Sequence, residues 1–105
     1  MKCVYPCLLR FEEGFGYSVI FPDFGGGTQG KTLYEALEMA ENFLGFAITS
    51  SIEDGDEIPN PTPIEKINAP LGTTLSFIRI DTEEYLNKES VRQSKEKSLN
   101  DKVVA

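Results

Sequence analysis

Eight consecutive residues, Gly25-Gly26-Gly27-Thr28-Gln29-Gly30-Lys31-Thr32, satisfy the pattern G-x-x-x-x-G-K-[ST]. In a phosphate-binding loop of that form, backbone N–H groups wrap the phosphates, the lysine reaches their outer oxygens and the hydroxyl holds magnesium. Residues 77–81, Phe-Ile-Arg-Ile-Asp, have some likeness to the strand that supplies a second magnesium ligand. Against this, such proteins need a parallel sheet of several βα units, and this chain has room for one long helix. The strand before the loop is already paired in a hairpin, and Arg79 interrupts the would-be ligand strand. A tight turn that needs positive φ explains the glycines equally well, and a solvated place before a helix cap explains Lys31. Nucleotide binding through Gly25–Thr32 stands as a remote alternative.

Other groups that could do chemistry are sparse. Asp54, Asp56 and Glu65 have the spacing of positions 1, 3 and 12 of a calcium loop, but Pro59 falls where that loop needs glycine. Glu12, Glu13, Asp23 and the row Glu35, Glu38, Glu41 could pair carboxylates for acid–base work, and a solvated acidic face accounts for them as well. Cys3 and Cys7 lie on one side of a strand with Cα atoms roughly 13 Å apart, too far for a mutual disulfide. The chain has no histidine, which removes the usual general base and the usual nitrogen ligand of zinc. No enzymatic activity, cofactor or metal is therefore expected.

With 105 residues, 40% of them hydrophobic and 26% charged, the chain has the composition of one folded domain. Its formal charge of −7 disfavours a grip on nucleic acid through the domain as a whole and suits a basic partner. The charge is uneven: residues 1–60 hold three basic and ten acidic groups, whereas residues 87–105 hold five basic and three acidic ones. Two unbridged thiols fit a reducing compartment. No apolar run approaches the ~18 residues of a membrane span, so a cytoplasmic location is expected.

These groups must be positioned by a handful of elements. Residues 3–11 alternate as a strand, with Cys3, Tyr5, Cys7, Leu9 and Phe11 on one side; Pro6 argues for an edge or a bulge. A glycine-bearing turn at 12–16 leads to a second strand at 17–21, making a hairpin. An irregular loop follows at 22–27, then a very short third strand at 28–30. Thr32 with Glu35 forms a capping box, and Leu33, Leu37, Ala40, Leu44, Ala47 and Ile48 make one apolar face of a helix over roughly 32–52. Gly45 inside it suggests close packing on the sheet. A proline-rich connection spans 55–73, a fourth strand spans 74–80, and a polar segment begins after Leu86. Two units are expected: an α+β domain over 1–86 and a polar tail or short helix over 87–105.

The string Tyr17-Ser18-Val19-Ile20-Phe21-Pro22-Asp23-Phe24, then Thr28-Gln29-Gly30, then Thr32-Leu33-Tyr34-Glu35-Ala36-Leu37-Glu38-Met39-Ala40, resembles the HicB family of antitoxins. That family's signature is a strand ending in Phe-Pro-Asp-Leu, a glycine-containing loop, Thr-x-Gly and a capped helix with Glu-Ala-Leu-x-x-Ala. The acidic, proline-bearing stretch from Glu53 to Pro61 is similar to the family's as well, and the likeness covers about residues 4–81. The resemblance implies a small antiparallel sheet with one long helix on a face, in the order β-β-β-α-β. It also implies a non-catalytic protein that binds and silences a small, basic, mRNA-cleaving ribonuclease toxin of the HicA type. Residues expected to meet that partner are Asp23, Glu35, Glu38 and Glu41, with Phe24 as an apolar anchor. The chain departs from the family at Gly25-Gly26-Gly27, where members carry Pro-Gly-Cys or similar. A C-terminal ribbon-helix-helix cannot be placed in the residues after Tyr85, so DNA binding is not assigned. Exposed strand edges argue for a homo-oligomer. An orphan homo-oligomeric or small-ligand-binding module without a toxin is the alternative.

Overall fold

Period-two alternation yields four strands and period-3.6 patterning one long helix in the computed structural model, which describes residues 1–89. The elements are β1 (Lys2–Glu12), β2 (Gly16–Phe21), β3 (Gly26–Gly30), α1 (Leu33–Asp54), a 3-10 turn (Ile64–Lys66) and β4 (Thr74–Asp81). Residues 82–89 continue as a second helix. All pairings are antiparallel and the strand order is β3-β2-β1-β4, the expected β-β-β-α-β arrangement. From residue 90 onward, the polar tail expected over 87–105 lies outside the described residues.

Odd-numbered side chains of β1 and β2 and even-numbered ones of β4 share the face covered by α1. Tyr5 sits opposite Ile78 and Leu9 opposite Val19. With Cys7, Phe21, Ala36, Ala40, Leu44 and Ile48 they form the core. Ala36, Ala40, Leu44 and Ile48 recur every fourth position as one buried stripe along α1, with Gly45 buried beside it. Small residues in the first turns let the helix lie close to β3: a Cβ on Gly30 would stand 2.4 Å from the Ala36 backbone nitrogen.

Thr32 caps α1 as its sequence predicts, its hydroxyl accepting from the Glu35 N–H at 3.1 Å. The Glu35 carboxylate reaches back to the Lys31 N–H at 3.3 Å. At the far end Gly55 adopts φ 73°, with its N–H on Ile52 O and that of Asp56 on Ser51 O. This left-handed cap carries the helix to Asp54, two residues past the expected end.

Three local expectations change. Pro6 lies on an interior strand, and the ladder from β1 to β2 begins only at Leu8↔Ile20, so no β2 partner stands beside the imide nitrogen. The irregular loop at 22–27 is shorter than expected: Phe24 and Gly25 both donate to Phe21 O, and β3 begins at Gly26. Gly45 makes its close contact with the second helix and not with the sheet. A Cβ there would stand 2.6 Å from the Tyr85 ring. Gly45→Ala is therefore a contest between about 1 kcal/mol of gained helix propensity and the cost of displacing the half-buried Tyr85 ring. The clash wins, and we expect a net loss of about 1 kcal/mol in urea unfolding; a stabilised variant would show that the second helix moves aside freely.

Candidate protein-binding surface

The chain has no histidine, and the described residues hold no cluster of three or more His, Cys, Asp or Glu able to bind a metal. The phosphate-loop pattern forms β3, whose backbone pairs along β2 from Tyr17↔Gly30 to Phe21↔Gly26. An extended strand in a ladder does not converge its N–H groups on an anion.

The strongest assembly is at the end of the sheet where α1 begins. The β1–β2 hairpin tip abuts the β3–α1 junction, because a Cβ on Gly16 would fall 2.4 Å from Gly30 O and 2.8 Å from Lys31 Cα. That contact, with φ 107° at Gly16, requires glycine there. It brings the hairpin and the helix start side by side. Phe11 leans on Tyr17, ring centroids 5.1 Å apart, yet it lies past the reach of α1 and is 62% exposed. Phe15 in the turn is 81% exposed and Tyr34 in the first turn of α1 79% exposed. Glu12, Glu13, Glu35 and Glu38 are exposed at the same end. Large aromatic side chains in water beside carboxylates make this end of the sheet the candidate protein-binding surface.

Of the expected contact residues, Glu35 and Glu38 belong to this surface. Glu41 is exposed too, but lines a cleft of about 530 Å³ between α1, the start of β1, the end of β4 and the second helix. Lys2, Arg79 and Lys88 line the same cleft. Asp23 and Phe24 follow β2, at the opposite end of the sheet, so the structure does not bring them together with the glutamates. Both are half-buried. The Asp23 carboxylate accepts from the Thr62 N–H at 3.1 Å and from the Thr62 hydroxyl. Phe24 packs edge-on against Tyr5 at 4.8 Å and against Phe21 at 6.5 Å. The Tyr5 hydroxyl in turn donates to Pro59 O at 2.6 Å. Together these contacts pin the proline-rich connection to the core.

Sequence reasoning passed over Phe11, Phe15 and Tyr34. A phenylalanine inside Glu-Glu-Gly-Phe-Gly was the available clue, since a two-glycine turn offers no periodic face to bury it. Both cysteines are free. Burial pushes the Cys7 thiol up in pKa, a hydrogen bond with Ser76 opposing, which makes it a poor nucleophile at neutral pH. Burial likewise raises Tyr5, with the negative charges of Cys3 and Asp23 adding to it. No helix among the described residues is long and apolar enough to cross a membrane.

A family model described as HicB_like antitoxin of bacterial toxin-antitoxin system matches residues 5–97. Antitoxin HicB 1 of Photorhabdus laumondii is 38% identical over 80 residues, which are 73% of this chain and 52% of the relative. The chain thus spans about half the length of that curated relative. A chain of a toxin–antitoxin complex from Streptococcus pneumoniae shares the fold at a TM-score of 0.73 and 23% identity, with 97% of this chain and 99% of that one covered. A chain of the HicA3 and HicB3 toxin–antitoxin complex superposes at a TM-score of 0.62 and 27% identity, covering 75% of this chain and 99% of that one.

Proposed function

The chain belongs to the family of HicB-like antitoxins of bacterial toxin–antitoxin systems, and on that premise we propose that it holds a small, basic, mRNA-cleaving ribonuclease toxin inactive by covering its cationic surface. The observation that carries this reading is the hairpin–helix end of the sheet, where Phe11, Phe15 and Tyr34 stand in solvent beside Glu12, Glu13, Glu35 and Glu38. A ribonuclease needs a positive surface to hold phosphates. A negative surface with rigid aromatic anchors fits that site and keeps RNA out.

The division of labour follows from exposure. Glu35 and Glu38 steer the toxin in, with Glu41 on the adjoining flank, and the aromatics hold it once water is expelled. Asp23 and Phe24 serve the complex indirectly by keeping the proline-rich connection in place. Residues 1–86 carry this role, and neither catalysis nor DNA binding is part of it. A likeness to a chain from the HicA3 and HicB3 complex supports a HicA-type partner.

The test is capture of the tagged chain from its own cells at low salt, with the co-eluting proteins identified by mass. We expect one small basic protein in stoichiometric amount, released as salt is raised because exposed charges beyond a Debye length of about 8 Å at physiological ionic strength are screened. A chain that elutes without such a partner would sink the proposal.

A further inference from the structure

β4 is entered through a turn that holds a leucine wholly in water. Pro70, Leu71, Gly72 and Thr73 close with the Thr73 N–H on Pro70 O at 3.0 Å and the Thr73 hydroxyl on the same oxygen at 2.6 Å. Gly72 has φ 88° and Leu71 does not have a positive φ, which makes the turn type II. Leu71, at its second position, is 102% exposed. A proline and two hydrogen bonds set this backbone. A single exposed leucine is ordinary on a protein surface; its place makes this one informative. Thr74 pairs with Leu9, before the end of β1 at Glu12, so the turn lies at the hairpin end of the sheet. Each chain connection at that end then carries a large apolar residue in solvent: Tyr34 after β3, Phe15 between β1 and β2, Leu71 before β4. At the opposite end, the β2–β3 loop tucks its Phe24 against Tyr5 and Phe21.

Charge separates the two edges of this surface. Glu35 and Glu38 stand exposed at the β3–α1 edge. Residues 67–78 carry no charge, and the next residue of β1 past the Leu9–Thr74 pair is Arg10, an exposed cation. Coulomb attraction therefore draws a basic partner to one edge only. We infer that Leu71 anchors the other edge by entering an apolar pocket that the toxin carries beside its basic patch. This role rests on the toxin-binding reading of this end of the sheet and supplies the uncharged half of the contact. Because the turn is already set, docking it costs little ordering entropy. A merely basic protein satisfies the acidic edge alone, whereas a partner with both patches engages the whole end. The pocket for Leu71 thus selects among the basic proteins that charge admits.

The experiment measures binding kinetics of the full chain, wild type and variants, on the basic protein recovered by low-salt capture, at two ionic strengths. We expect Leu71→Ala to raise the dissociation rate about tenfold, as loss of a buried leucine contact would. The factor should be the same at both ionic strengths, because no charge is removed. Leu71→Met keeps the volume and should restore the wild-type rate. Thermal unfolding of both variants should match that of the wild type, since a side chain wholly in water holds nothing in place. Phe46→Ala is the comparison: that ring is 65% exposed but sits roughly 20 Å along α1 from Leu33 at 1.5 Å per residue, and its loss should leave the kinetics unchanged. An unaltered dissociation rate in Leu71→Ala overturns the inference, while tight binding by the wild type keeps the toxin reading. A loss that Phe46→Ala reproduces, or that Leu71→Met does not repair, overturns it as well. A wild-type chain with no basic partner overturns both readings together.

Discussion

Gly30→Ala is expected to destabilise the domain by about 3 kcal/mol, the upper end of what overpacking a well-filled interior costs. The added methyl would lie 2.4 Å from the Ala36 nitrogen, 2.7 Å from its Cα and 2.8 Å from the Glu35 carbonyl carbon. All three are backbone atoms in the first turns of a hydrogen-bonded helix, so no rotamer change can make room. The helix must lift from β3 and open the contacts of Ala36 and Ala40, both fully buried. A loss of that size is a large part of the 5–15 kcal/mol that holds a typical domain, and it should lower the melting temperature by about 15 °C. Gly14→Ala is the natural comparison: nothing lies within 4 Å of its Cβ position, and only its φ of 84° resists substitution. That strain costs about 1 kcal/mol. Equal melting of the two variants would show that the close approach of α1 to β3 does not bear on stability.

The second large effect concerns the partner. Removing Phe15 and Tyr34 together, both to alanine, is expected to weaken toxin binding about 100-fold while leaving the fold intact. Both side chains are about four-fifths exposed in the chain alone, so truncating them removes little that holds the domain together. In the complex each would lose an aromatic anchor, the residue class that carries most of the binding energy at interfaces. The loss should fall on the dissociation rate. Reversing Glu35 and Glu38 to lysine should instead slow association, cost about tenfold in affinity at low salt and flatten the salt dependence. Binding kinetics at two ionic strengths separate the two effects. If the aromatic pair can be deleted without change in dissociation rate, the toxin docks elsewhere; if only the charge reversal has no effect, the acidic row is no more than a soluble face.

The proposed surface was half legible in the sequence. Glu35 and Glu38 could be read because a capping box and a helical period place them outward with no tertiary information. Asp23 and Phe24 sit in the family signature beside the glutamates in sequence, yet β3 carries the chain back along β2 between them. Parity placed Phe11 on the same side of β1 as Tyr5 and Cys7, the side that α1 covers in the structure. Its exposure depends on where α1 starts, which no strand pattern encodes.

Local physics written into the chain was sufficient for the elements and their order. Alternation, capping residues, a two-glycine hairpin turn and the Gly55 stop act within a few residues, and so they can be read a few residues at a time. Only the tertiary structure decided which glycines are contacts. Gly16, Gly30 and Gly45 look alike in sequence, but one seats a hairpin on a helix start, one admits a helix to a strand and one holds the Tyr85 ring. It also decided the character of the face away from α1. Period two distributes side chains to two sides of a sheet without saying which side a helix will cover. Val4 and Ile20 read as ordinary strand residues, and in the structure, with α1 on the opposite side, both are about half exposed.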